Sequence, residues 1–361
     1  MPSAVHPVFE SPSPFARALK ERVDRYFADA AKPTRDLPRM YAKTAVILTW
    51  LVGTYLALYA ATQLWQVVLL SVSFGLAMAA VGFDIQHDGA HGAYSKRRWV
   101  NGLCAHSLDL IGGSSYVWHY KHNVTHHTYA NIAHVDADVD VGAFARLTPH
   151  HTWHPWHRFQ HVYIWLLYGL LPFKWVFFDD FHDLVTGRIG TQPFPRPGRA
   201  RLAVTLFMKL LFVGWALVLP LCLRPWLGVL VAYAVSAITL GIVLAVVFQL
   251  AHCVTEAAFP VPPDGSQEMG ADWSTHQVHT TVDFARESRF LSWFLGGLNF
   301  QVEHHLFPRV SHLHFPALSK IVEATCGEFA VPYRAFPSFG AAVGSHARWL
   351  RRMGHRPAAL P

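Results

Sequence analysis

The sequence predicts an all-α integral membrane protein, with four transmembrane helices in two hairpins beneath a cytosolic helical cap that holds a polyhistidine dimetal site. Three observations carry this expectation. Two apolar blocks, 44–83 and 202–251, are each long enough for two passes of a hydrocarbon core that takes about 20 helical residues. Lys and Arg gather at one end of each block, which the positive-inside rule assigns to the cytosol. Histidines gather just beyond that same end.

Composition agrees. The chain of 361 residues is 52% hydrophobic and only 15% charged, with its apolar residues in blocks, and this argues against two soluble domains. Cys104, Cys222, Cys253 and Cys326 are scattered and give neither a disulfide framework nor zinc-finger spacing. The net charge of +7 favours anionic lipid or acidic partners. A nucleic-acid partner would not explain the apolar composition, and none is expected.

In chain order, residues 1–43 form a polar, proline-dotted cytosolic segment without a secretory signal pattern. The first hairpin is expected at about 44–62 and 64–83, turning at Thr62-Gln63. Lys32, Arg35, Arg39 and Lys43 precede it, and Lys96, Arg97 and Arg98 follow it. Residues 100–118 are short and broken at Gly112-Gly113, which suits an interfacial segment. A polar loop at 128–160 carries Asp136, Asp138 and Asp140; Val141 and Leu147 stand where a calcium loop needs Gly and Glu. The aromatic stretch 161–181, split by Pro172 and Lys174, is expected at the interface; a full third span there would reverse the sidedness of everything downstream. The second hairpin is expected at about 203–223 and 226–250, broken at Arg224-Pro225, with Lys209 snorkelling to the basic side. The membrane domain then runs to 335, and 336–361 is a basic tail with Arg348, Arg351, Arg352 and Arg356.

Each hairpin delivers histidine. The first runs into Asp84, His87 and His91, spaced by three and four on one helical face, and the second into Gln249 and His252. The windows 119–127 and 301–305 add His122, His126, His127, His304 and His305. One metal with an open position needs three or four protein ligands, so eight imidazoles suit two metals. Imidazole accepts Fe, Zn, Cu or Ni; iron is chosen because the site sits against a membrane with no hydrolytic motif such as His-Glu-x-x-His. No Glu-x-x-His signals a carboxylate-bridged bundle site. Ligating imidazoles usually donate their second N–H, and Asp84, Asp88, Glu256, Glu303 and the Asp136–Asp140 run are the candidate acceptors. Gln301 stands where a further imidazole would complete the pattern, and is a candidate ligand directly or through water. His119 is balanced between the ligand stripe and the interface, while Trp273 and His276 are expected to line the site. His106, His134, His150, His151, His154, His157, His161 and His182 are read as ordinary polar residues.

His87-Asp88-Gly89-Ala90-His91, His122-Asn123-Val124-Thr125-His126-His127 and Gln301-Val302-Glu303-His304-His305-Leu306-Phe307-Pro308 resemble the three histidine boxes of the integral-membrane fatty acid desaturases. The resemblance covers nearly all of 40–335, including Ser311-His312-Leu313-His314-Phe315-Pro316. It implies four spans under a cytosolic cap, and two iron ions held by the box histidines and His252. With O₂ as cosubstrate, it implies removal of two hydrogens from a long acyl chain carried on CoA, a carrier protein or a glycerolipid. Zinc is an expected substitute in overproduced protein. Gln301 at the head of the third box is similar to the front-end desaturases. Many of those carry a fused cytochrome b5 domain with His-Pro-Gly-Gly; here His6-Pro7 is followed by Val8, so a separate donor such as ferredoxin or cytochrome b5 is implied. Hydroxylases and acetylenases share the boxes and are the rival enzymes. A membrane metal-binding or transport protein is the rival of another class, but it would need polar ligands at mid-membrane, and the spans offer only Lys209. Both termini and the active site are expected on the cytosolic side of a multi-pass membrane protein.

Overall fold

A computed structural model of the chain describes residues 6–29, 31–263 and 266–357. Residues 1–5 of the predicted N-terminal segment and 358–361 of the predicted tail lie outside the described residues.

The chain is mostly helical. Strand β1 (Val8–Glu10) leads into helix α1 (Pro14–Asp29), whose Phe15, Leu19 and Val23 recur every four residues and bury one face. Helices α2 (Pro38–Ala60) and α3 (Leu64–His91) form the first apolar pair. Pro38 opens α2, where a missing N–H costs nothing. The pair turns where the Gln63 and Gln66 side chains reciprocally cap the start of α3. α4 (Arg98–Leu110) and α5 (residues 115–129) follow, then α6 (Pro155–Thr186). A small hairpin of β2 (Arg188–Ile189) and β3 (Gln192–Pro193) precedes the second apolar pair, α7 (Arg199–Leu223) and α8 (Trp226–His252). On the far side from the histidines, the Arg224 guanidinium donates to the Ala61 carbonyl and joins the turns of the two pairs.

α3 and α8 cross closely at Gly75, where a Cβ would lie 2.6 Å from the Ser236 carbonyl oxygen. Lys209 does not simply snorkel. It is buried, donating to Asp180 at 2.5 Å and to the Gly112 carbonyl at 2.6 Å, so it ties α7 to α6 and to the loop after α4.

Among the described residues five helices, α2, α3, α6, α7 and α8, are long and apolar enough to cross a membrane, one more than the sequence predicts. The addition is α6, which absorbs the stretch expected as a short interfacial segment at 161–181. Pro172 lies inside it without ending it, and the turn that follows, Trp175–Asp179, is π-helical.

Beyond α8, strand β4 (Glu268–Asp272) pairs in parallel with β1, and Asp272 caps α9 (Trp273–Thr280) by accepting from Ser274 N at 3.0 Å. β5 (Asp283–Phe284), α10 (Arg289–Phe294), α11 (Gln301–Leu306) and α12 (Phe315–Glu328) complete the layer over the apolar pairs. β6 (Ala335–Phe336) pairs with β5, and α13 (Phe339–Gly354) buries Trp349 and Leu350 while carrying Arg348, Arg351 and Arg352.

Candidate metal centre

The ends of α3 and α8 meet α5 and α11 in one buried space. His87 and His91 close α3, after a π-helical segment over Val81–Gln86. Between them, Gly89 packs directly on Cys104, where any Cβ would collide, so this turn lies flush on α4. His252 is the last residue of α8. His304 and His305 come from α11, whose approach turns at Gly296 and Gly297, both at positive φ.

The second window has a shape the sequence does not announce. His119–His126 is π-helical. In an α-helix a residue five positions on lies about 140° around the axis, so His127 would turn away from His122. The wider i→i+5 winding brings the two nearly into line, and His122, His126 and His127 face the same space.

All eight predicted histidines converge and all are buried. His87, His91, His122 and His304 form one group with mutually close ring nitrogens, His126, His252 and His305 a second, and His127 joins His304 and His305 between them. Ring centroids are 4.4 Å apart for His87 and His304, 4.5 Å for His91 and His127, and 4.6 Å for His126 and His252. Among the described residues, seven ring nitrogens of this cluster are buried without a hydrogen-bond partner: His91 Nε2, His126 Nε2, both of His127, His252 Nδ1, His304 Nε2 and His305 Nε2. Two adjoining groups of imidazole donors, with spare nitrogens turned on one another, suit two metal ions with nitrogen ligands near 2.0–2.1 Å.

The electrostatics favour neutral ligands. Burial pushes His122 down to about 4 and lowers His127, His304 and His305 well below the ordinary histidine value, with the neighbouring imidazoles adding to it. His126 is the exception. Burial pulls it down, but the Asp136 carboxylate at its Nδ1 (2.9 Å) outweighs burial and leaves it raised. Burial likewise pushes Asp138 up, yet Lys121 at 2.8 Å and the His122 and His126 rings hold its carboxyl well below the usual range.

The other predicted site residues fall out as follows. Asp136 meets His126, and Asp138 lies 3.8 Å from Nδ1 of both His122 and His126. Asp84 pairs with Lys43 instead of a ligand, and Asp88 bonds His312 Nδ1 at 3.0 Å; His312 Nε2 in turn meets Lys43 Nζ at 3.0 Å. Glu256 bonds Thr255 and Ser345, away from the eight imidazoles. Glu303 accepts from the Tyr333 hydroxyl at 3.1 Å, and that hydroxyl also donates to Asp283 at 2.5 Å. Gln301 lies against the cage, its amide 3.0 Å from His252 Nε2. His119 is exposed and outside it. His276 bonds the Ala130 carbonyl and Trp273 the His127 carbonyl, so both brace the backbone behind the cage.

Two residues escape the sequence reading. Gln277 Oε1 accepts from His305 Nδ1 at 2.7 Å, while its amide nitrogen reaches the His127 carbonyl at 3.2 Å. Asn131 donates to the carbonyls of His252 and Ala258, both at 3.0 Å, and Thr280 at 3.2 Å. Both are amides in polar stretches, where composition gives no signal.

Apolar helices that end together in a buried cage of imidazoles define a class of membrane protein that does its chemistry at one end of a helical bundle. The fatty acid desaturase family profile matches residues 63–337. The sn-1 linoleoyl-lipid 6-desaturase of Synechocystis sp. is 38% identical over 342 residues, covering 94% of this chain and 95% of that protein. The enzyme of the same name from Arthrospira platensis is 36% identical, covering 95% and 93%. The acyl-lipid (8-3)-desaturase of Physcomitrium patens is 39% identical, covering 94% of this chain and 72% of that protein. The chain belongs to the fatty acid desaturase family and is a membrane oxidoreductase of that kind.

Proposed function

We propose that the protein is an acyl-lipid desaturase of the front-end type. It introduces a double bond into a long acyl chain carried on a glycerolipid, using O₂ and two electrons from a separate donor such as ferredoxin or cytochrome b5. The observation that carries this reading is the convergence of eight buried imidazoles from four separate stretches. Bound there, two iron ions would supply the O₂-dependent oxidising chemistry, held by His87, His91, His122, His126, His127, His252, His304 and His305. The chain's own part is to bury those imidazoles, which favours the neutral form of His122, His127, His304 and His305 though not of His126, and to orient His126 through Asp136 and His305 through Gln277. Gln301 is too close to His252 to be a bystander, and it tunes or completes the set. The lipid carrier is favoured by the names of the relatives, which are lipid-linked desaturases.

The substrate tail needs an apolar sleeve. A cavity of about 410 Å³ lies among the apolar helices, reaching from the far-side turns at Gln63 and Arg224 to Met78 and Leu240, and none of the eight histidines lines it. Burying each methylene there gains about 0.8 kcal/mol, so the sleeve would hold a chain firmly and set its register.

Parity supports a reading of four crossings with the site and both termini on one side, proposed to be the cytosol. His91 ends α3 and His252 ends α8, and their cage is shared, so both ends lie on one side. α7 and α8 form a pair, so α7 also starts on that side. Between His91 and Arg199 only α6 is long and apolar enough to cross, and a single crossing would break the parity. α6 therefore does not cross, and both its ends lie on the cage side. Lys96, Arg97, Arg98, Arg199 and Arg201 at the cage end agree with a cytosolic face.

The test is expression in a host without such activity, supplied with defined unsaturated fatty acids, followed by mass spectrometry of separated lipid classes. New double bonds arising first in glycerolipids are expected. Hydroxylated or acetylenic products, or double bonds arising first in acyl-CoA, would overturn the reading.

A further inference from the structure

We propose that the protein carries a second, outer site for one divalent first-row transition-metal ion, formed by His134, Asp140 and His151. These residues offer one ligand atom each, all within 4.8 Å of one another, outside the cage of eight imidazoles. The His134 and His151 rings face each other with centroids 5.0 Å apart, and no hydrogen bond joins them. His151 Nε2 is buried and has no hydrogen-bond partner. Asp140 spends one carboxylate oxygen, Oδ1, on the Gly142 N–H at 3.0 Å, leaving Oδ2 for a ligand.

The two histidine positions are held by their backbones. The His134 carbonyl accepts from the Thr191 hydroxyl and from Gln192 Nε2 at 3.2 Å, fixing it to the β2–β3 hairpin. His134 also sits at φ +64°, a turn that a histidine adopts only when its surroundings impose it. The His151 carbonyl accepts from Arg146 Nε at 2.8 Å, and the same guanidinium grips the Pro149 and Met353 carbonyls. Two imidazoles and one carboxylate with open positions are a donor set used by zinc and by ferrous iron. Ligands about 2.0–2.1 Å from a tetrahedral ion lie roughly 3.3 Å apart, so the three side chains need only close by about an ångström. His134 is exposed and free to do so.

The site's place gives it a role. Asp136, which orients His126, lies on the loop between His134 and Asp140. An ion that fastens both ends of that loop to His151 clamps the carboxylate that steadies this inner imidazole.

The experiment uses the full-length, iron-loaded protein without a polyhistidine tag, equilibrated with micromolar Zn²⁺, with zinc and iron counted per chain. One zinc is expected above the buried pair, with no iron released. His151→Ala and Asp140→Asn should each weaken that zinc by at least the roughly 10–100-fold that loss of a supporting partner costs. His304→Ala should lose buried iron yet keep the outer zinc, which separates this site from the inner one. Zn²⁺ should raise the melting temperature of the wild type but not of Asp140→Asn, a change small enough to preserve the fold. No added zinc, zinc gained only as iron is lost, or an Asp140→Asn protein that binds zinc as the wild type does, would each overturn the proposal.

Discussion

Asp136→Asn is the change that asks most of the cage. The carboxylate is fully buried and has three donors around it: His126 Nδ1 at 2.9 Å and Asn131 N at 2.9 Å on Oδ2, and Asp138 N at 3.0 Å on Oδ1. An amide keeps the shape but offers one acceptor and one NH₂ group. Whichever way it is turned, a donor meets a donor: the NH₂ faces either Asp138 N–H or the pair formed by His126 and Asn131 N–H. With the NH₂ toward His126, the ring must flip its tautomer and give up the nitrogen that Nε2 presents inward. A hydrogen bond to a charged group is worth about 1.5–3 kcal/mol, and each 1.4 kcal/mol is tenfold. Loss of iron affinity by roughly ten- to a hundredfold follows, the range expected when an imidazole loses its outer partner. The assay is iron retained per chain against a graded chelator, with melting temperature as the control for folding. Asp138→Asn is the comparison, because Asp138 stands 3.8 Å from both imidazoles and meets Lys121 instead. If Asp136→Asn holds iron as tightly as the wild type, the orienting role of Asp136 is wrong.

Other expectations follow from the same geometry. His304→Ala should abolish desaturation while leaving a folded protein, whereas His119→Ala, exposed and outside the cage, should leave activity within twofold in the same lipid assay. Leu240→Trp, which intrudes on the 410 Å³ cavity, should reduce conversion of longer acyl chains more than shorter ones when mixed chains are supplied. Tyr333→Phe removes the hydroxyl that donates to Asp283 Oδ2 and lies 3.1 Å from Glu303, leaving Asp283 with the Val302 N–H on its other oxygen. It should cost about 1–3 kcal/mol, seen as a lower melting temperature with the product pattern unchanged.

The apolar helices were legible in the sequence because a membrane leaves few options. An uninterrupted apolar run must satisfy its own backbone, so length and charge locate the spans, and the observed ends differ from the expected ones mainly by the turns that extend past the hydrocarbon. The convergence of the eight histidines was legible because imidazoles at spacings of three to five, repeated at one end of the bundle, have few other uses. What was not legible depends on partners far apart in the chain. Asp84 and Lys43 satisfy each other across two helices, as do Asp180 and Lys209, and no local pattern pairs them. Gln277 and Asn131 act through single amide groups. The length of α6 was hidden by Pro172, which reads as a breaker but lies inside the helix. His134 and His151 were read as ordinary polar residues, since their nearness arises only when the loop closes on the β2–β3 hairpin.

The cage is a poor bargain for folding alone. Buried polar atoms are ordinarily hydrogen-bonded, and among the described residues seven ring nitrogens of the cage have no protein partner. Protonation gives no relief, because burial and neighbouring imidazoles drive His122, His127, His304 and His305 toward the neutral form. A neutral imidazole with its lone pair turned inward is, however, the state a metal ion binds without first displacing a proton. The helix ends that deliver these rings are also fixed by contacts that would survive without them: Gly75 under Ser236, Lys43 on Asp84, Asn131 across three carbonyls. On the proposed function, the scaffold holds these imidazoles together at a cost that a metal ion would recover on binding. Affinity for the ion and rigidity of the bundle are therefore one property. A substitution that loosens the crossing at Gly75 should weaken metal retention even though it touches no ligand.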